Sequence, residues 1–178
     1  MTYSQKTVKL AKITLILSML LLFWIIALKC NMPAPISDTR AMNEGTTLAE
    51  RFERYLSYKT FSSSLTDTVV NILLTLPIGM LLPFVFTKRP YLLSCLLSFL
   101  IAVGFEVFQI ISCIGMFTYI DIINNTLGGL LGVLTHFFLR KIVREKPLNA
   151  IFSFLIVGIS LALVFATVNT IVHIELYI

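Results

Sequence analysis

The chain has 178 residues, is 57% hydrophobic and 13% charged, and carries a formal net charge of +5 with a mean hydropathy of +0.92. A soluble domain holds roughly 45–50% apolar and about 25% charged residues, so this composition excludes a single water-soluble core. The predicted class is an all-α polytopic membrane helical bundle of about five transmembrane helices, each needing about 20 apolar residues, plus a short outer amphipathic helix.

The first span is predicted over Leu10–Leu28. MTYSQKTVKLAK is a basic leader and ITLILSMLLLFWIIAL an apolar run, the layout of a signal peptide. No small-x-small cleavage site follows, and Lys29 precedes Cys30 where lipoprotein processing needs a small residue. Residues 1–29 therefore read as an uncleaved signal anchor.

Residues 30–67 form the one sizeable extramembrane segment. Pro33 and Pro35 stop the first helix from continuing. TTLAERFERYLSYK then predicts a short helix, opened by a capping box of Thr47 and Glu50. Leu48, Phe52, Tyr55, Leu56 and Lys59 share helical spacing, with Glu50, Arg51, Glu53 and Arg54 elsewhere. That pattern suits a helix on the outer membrane surface, either a lid over a site or a connector resting on lipid.

Four further spans are predicted: Thr68–Thr87, Tyr91–Ser112, Thr118–Leu139 and Leu148–Ile171. The first three of these make a core over residues 68–139, and residues 140–178 supply a basic linker and a last span. Positive charge sets orientation. Nine basic residues share one side: Lys6, Lys9, Lys12, Lys88, Arg89, Arg140, Lys141, Arg144 and Lys146. The other side has five: Lys29, Arg40, Arg51, Arg54 and Lys59. The expected arrangement in a bacterial plasma membrane is multi-pass, N-terminus cytoplasmic and C-terminus outside. The net charge then follows from topology, and basic residues scattered beside spans are not the footprint of a nucleic-acid-binding protein.

Cys95 falls near the cytoplasmic face, whereas Cys30 and Cys113 fall near the outer one. Free buried thiols are the simpler reading there than a disulfide. The sequence has no CxxC, HExxH, GxSxG or P-loop pattern, and His136 and His173 fall on opposite sides of the membrane. No metal site and no cofactor are expected.

Polar residues nevertheless recur in the core spans. Taking about 1.5 Å per residue, Asn71, Gln109 and Asp121 lie roughly 5 Å below the outer boundary, and Thr75, Glu106 and Asn125 roughly 9–10 Å. Glu106 and Gln109 share a face, as do Asn71, Thr75 and Gly79, and Asp121, Asn125, Gly128 and Gly132. Ionisable residues at such depth face a bundle interior or a water-filled cavity. Asn71, Glu106, Gln109, Asp121 and Asn125 are thus the candidate ligand-binding set, with a structural hydrogen-bond network as the competing reading. Gly79, Gly128 and Gly132 read as helix-packing residues, Gly128 and Gly132 forming a GxxxG pair. Pro77 and Pro83 are expected to kink the second span.

These residues resemble a family. NILLTLPIGMLLPFVF, with Asn71, Pro77, Gly79 and Pro83, and then ExxQ at 106–109 followed by Asp121, Asn125, Gly128 and Gly132, are similar to the two signature segments of the VanZ-like bacterial membrane proteins. The likeness spans about residues 67–138. Two positions depart from it: Gly115 stands where the family usually has a basic residue, and Thr118 where it often has an acidic one. The resemblance implies an association with glycopeptide resistance, chiefly to teicoplanin, and a Gram-positive-type cell envelope. It supplies no agreed reaction.

Two functions are set against each other. The first is a non-enzymatic envelope protein whose outer polar pocket binds a lipid headgroup, a lipid-linked cell-wall precursor or an envelope protein. The second is an intramembrane enzyme acting on a lipid-linked substrate, with Glu106 and Asp121 as its candidate catalytic acid and base. A transporter is disfavoured, because five spans show no evident repeat.

Overall fold

A computed structural model describes residues 3–27, 45–57, 65–86, 88–112 and 118–176. Among them the chain forms α1 (Gln5–Ala27), α2 (Leu48–Ser57), α3 (Leu65–Leu81), α4 (Pro90–Ser112), α5 (Tyr119–Ile142) and α6 (Glu145–Leu176), with no strand. A 3-10 turn over Leu82–Phe84 follows α3 directly. The all-α bundle expected from composition is the observed architecture.

Four helices, α1, α4, α5 and α6, are long and apolar enough to cross a bilayer. The remaining expected span is shorter: the apolar stretch at α3 runs Thr68–Phe84. Its chemistry explains the truncation. Pro83 has no N–H for the carbonyl of Gly79, and the backbone tightens to 3-10 geometry from Leu82. Pro77, by contrast, stays inside α3. Arg89 then takes a positive φ of 47°, and Pro90 opens α4 at a position where its missing N–H costs nothing.

The basic linker expected over residues 140–147 is also tighter than expected. α5 runs to Ile142 and α6 starts at Glu145, leaving Val143 and Arg144 as the elbow. Pro147 does not delay α6, since proline is tolerated in a first turn, and Glu145 suits the positive end of that helix.

α5 is the centre of the bundle, packed closely on α3 and against α4 on another side, while α6 meets the rest chiefly through α1. Leu22, Ile78, Leu82 and Phe105 form one apolar cluster, and Ala11, Leu81, Phe84 and Phe152 another. The wider burial pattern is inverted relative to a soluble protein. Asn71, Ser94, Ser98, Glu106, Gln109, Asp121, Asn124 and Asn125 are buried, whereas Ile16, Leu73, Leu92, Ile111 and Phe154 are exposed. In water so large an apolar surface would drive aggregation. In a bilayer it faces lipid, and the polar groups find their partners inside.

Glycine sets the α3–α5 distance. A Cβ on Gly128 would overlap the Thr75 hydroxyl and the Ile72 carbonyl, and one on Gly132 would overlap the Leu76 carbonyl. A Cβ on Gly79 would overlap the carbonyl of Gly129 from the opposite side. At Gly79, Gly128 and Gly132 the two helices thus lie backbone against backbone. Gly129 joins them: its Cβ would lie 2.6 Å from Ser98 Cβ, so it admits α4 to the other side of α5.

The helix expected in the long loop is α2, and its capping box is formed. Thr47 N–H donates to Glu50 Oε2 at 2.7 Å, and Glu50 N–H donates to Thr47 Oγ1 at 3.3 Å. Leu48 and Phe52 are exposed, in keeping with an apolar side turned away from the bundle. The side chains of Arg54, Tyr55 and Leu56, together with Cys30, Cys113 and Gly115, lie outside the described residues.

Candidate functional site: a polar layer across three helices

The polar layer begins with helix α5. Its N-cap, Thr118, has an extended backbone and makes no capping bond through its own side chain. The cap comes from another helix: Glu106 on α4 accepts the Thr118 N–H at Oε2, 3.0 Å away. Asp121 lies in the first turn of α5. Both carboxylates thus stand at the positive end of one helix, where exposed N–H dipoles favour negative charge. That is the physical reason two acids are tolerated in so apolar a region.

Asp121 also ties α5 to α3. Asn71 Nδ2 donates to Asp121 Oδ1 at 2.7 Å, a bond buried between the helices. Thr75, one turn further along α3, returns its hydroxyl to the Asn71 carbonyl at 2.9 Å. Gln109 lies on α4 beyond Glu106, and each is 1% exposed. Asn125 follows Asp121 by one turn of α5 and is 3% exposed. Its Oδ1 finds no hydrogen-bond partner among the described residues. A buried acceptor left in that state costs about 1–3 kcal/mol.

The structure therefore brings Asn71 and Asp121 into direct contact, places Glu106 one capping bond from the same turn, and buries Gln109 and Asn125 on the same helices. Sequence reasoning missed two contributors. Asn124 is buried and donates to Thr68 Oγ1 at 3.3 Å. Its adjacency to Asn125 was the available signal, but the helical phase taken from Asp121 and Asn125 left it out. The second contributor is the Thr118 backbone. Because Thr118 acts through its N–H, a change of side chain there leaves the bond to Glu106 in place. Arg51, on the polar side of the loop helix, also reaches the bundle. It is half-buried, donates to the Ile110 carbonyl through Nη1 at 3.5 Å, and is braced by Thr46 through Nε at 3.1 Å. α2 is thereby held against the end of α4, next to Gln109.

Arranged in this way, the layer offers carboxylate and amide oxygens and amide N–H groups inside an apolar shell. Among the described residues, no group of three or more His, Cys, Asp or Glu side chains is placed to hold a metal.

A sequence model of the VanZ/LLP1 family matches residues 15–140, well over half of the chain. The chain belongs to this family. Protein VanZ of Enterococcus faecium is 28% identical over 111 residues, covering 62% of this chain and 68% of that protein. No solved structure matches. The VanZ/LLP1 match runs from within α1 to Arg140, so it contains the whole polar layer and leaves α6 outside. With its lipid-exposed apolar helices, the chain is a membrane protein of the VanZ family.

Proposed function

We propose that this VanZ-family protein is a non-enzymatic component of a bacterial cell envelope. It binds the headgroup of a membrane lipid, above all a lipid-linked wall precursor, in the layer of Asn71, Glu106, Gln109, Asp121 and Asn125. Occupancy lowers susceptibility to glycopeptides, chiefly teicoplanin. The observation that carries this reading is the convergence of buried polar side chains from α3, α4 and α5, with Asn125 Oδ1 lacking a donor among the described residues. A headgroup hydroxyl or amide would supply one. α2, braced on α4 by Arg51, is the flap beside the layer. The enzymatic alternative has less support, because Asp121 and Glu106 each use an oxygen to accept from the bundle's own donors, Asn71 and Thr118.

Removal of charge tests the reading. Glu106→Gln and Asp121→Asn keep shape and most hydrogen-bonding capacity. Both variants are expected at normal membrane abundance, with loss of teicoplanin protection and of co-purifying lipid. Full protection from the double variant would remove the charged-site reading.

The proposal also needs the layer to face the outer leaflet, an orientation supported by the lysine and arginine distribution. In a background lacking the native cysteines, Glu50→Cys should react with an impermeant thiol reagent in intact cells and Lys141→Cys should not. The reverse pattern would invert the topology.

A further inference from the structure

We propose that the elbow between α5 and α6, at the opposite end of α5 from Asp121, is a binding site for the phosphate group of an anionic phospholipid. The elbow encloses a cavity of about 450 Å³ lined by Tyr3, Arg140, Lys141, Arg144 and Glu145 among others. Three cations thus face one carboxylate. That carboxylate is already engaged, since Glu145 Oε1 accepts the Ser4 N–H at 2.7 Å and so ties the start of α1 to the start of α6.

Two of the cations are set in place by aromatic neighbours. Arg140 Nη1 donates to the Tyr91 hydroxyl at 3.4 Å, and its guanidinium lies 6.0 Å from the centre of the Tyr3 ring. Lys141 Nζ lies 4.7 Å from the centre of the Phe137 ring. Below them His136 donates Nδ1–H to the Met80 carbonyl at 3.0 Å, which anchors the last turns of α5 on the end of α3. Charges that served only to orient the chain in the membrane would need no such bracing. A held guanidinium suits phosphate, because its fork of N–H donors matches the oxygens.

An open surface depression of about 410 Å³ argues for a lipid over a free ion. It shares Tyr3 with the elbow cavity and runs along α1, with Lys9 and Lys12 at its polar part and Val8, Ile13 and Ile16 continuing it. Ile13 and Ile16 are exposed to the surroundings. A phosphodiester with attached acyl chains fills both regions, with its phosphate at the elbow and a chain along α1. Inorganic phosphate uses only the first. Basic pockets between transmembrane helices are general sites for anionic headgroups, each cation near the surface being worth about a fivefold change in affinity.

The test uses the full chain in detergent micelles, titrated with phosphatidylglycerol or phosphatidylcholine and read by native mass spectrometry of lipid adducts. The wild type should hold phosphatidylglycerol about tenfold more strongly. Arg144→Gln should lower that preference about fivefold, and Arg140→Gln at least as much, with melting midpoints recorded for both. Arg144 is exposed, so its variant keeps the test open even if Arg140→Gln unfolds. Lys88→Gln, a cation at the same end but outside the cavity, should leave the preference unchanged. Equal retention of the two lipids, an unaltered preference in Arg144→Gln, or an equal loss in Lys88→Gln would overturn the site. Competition by millimolar inorganic phosphate would overturn its assignment to lipid.

Discussion

Gly132→Ala should destabilise the bundle by about 1–3 kcal/mol, whereas Gly104→Ala should leave its stability unchanged or raise it. Both replacements add one methyl to a transmembrane helix. At Gly132 the new Cβ would overlap the Leu76 carbonyl and stand 2.6 Å from the Met80 nitrogen, so it meets backbone that no rotamer change can move. At Gly104 it meets nothing within 4 Å. α3 and α5 must therefore separate in the first variant, which also weakens the bond from Asn71 to Asp121. Thermal unfolding in micelles, followed by circular dichroism, compares the two midpoints directly. Equal midpoints would mean that the close approach of α3 and α5 contributes nothing.

Asp121→Ala and Asn71→Ala should each destabilise the protein, and the double variant should lose less than the sum. Each single change removes one partner of a buried 2.7 Å hydrogen bond, at a cost of about 1–3 kcal/mol. Asn71→Ala should be the costlier, because it takes a donor away from a buried acidic side chain. The coupling between the two is expected near 1 kcal/mol, within the range for interhelical hydrogen bonds in membranes. Asp121→Asn keeps an acceptor for Asn71 and should retain most of the stability. This contrast separates structure from function: stability should follow the hydrogen bond, while teicoplanin protection should follow the charge. Strictly additive single variants would show that Asn71 and Asp121 do not hold α3 to α5.

Much of the architecture was legible in the residues themselves. Runs of 20 or so apolar residues have one stable solution in lipid, because a helix satisfies its backbone internally. The helical class and the four long spans follow from that. The i, i+3 and i, i+4 spacing of Asp121, Asn125, Gly128 and Gly132 placed them on one face, because helical phase is a local property. The capping box at Thr47 and Glu50 was legible for the same reason: donor and acceptor lie within one turn.

What the tertiary structure decided is which partners meet across the bundle. Depth arithmetic put Asn71 and Asp121 in one layer, but only the packing of α3 on α5 turned this into a hydrogen bond. Glu106 became the cap of α5 because α4 runs alongside it, a relation that no spacing in the chain encodes. Gly129, one residue out of phase with the Gly128 and Gly132 pair, mattered because α5 has neighbours on two sides. Arg51 meets the Ile110 carbonyl only because α2 is set against the end of α4. His136, judged only as a metal ligand, proved to be the anchor of α5 on Met80. In each case the deciding term is a contact between segments far apart in sequence. Local propensity fixes a helix and its faces, whereas the pairing of faces depends on how closely whole helices can approach.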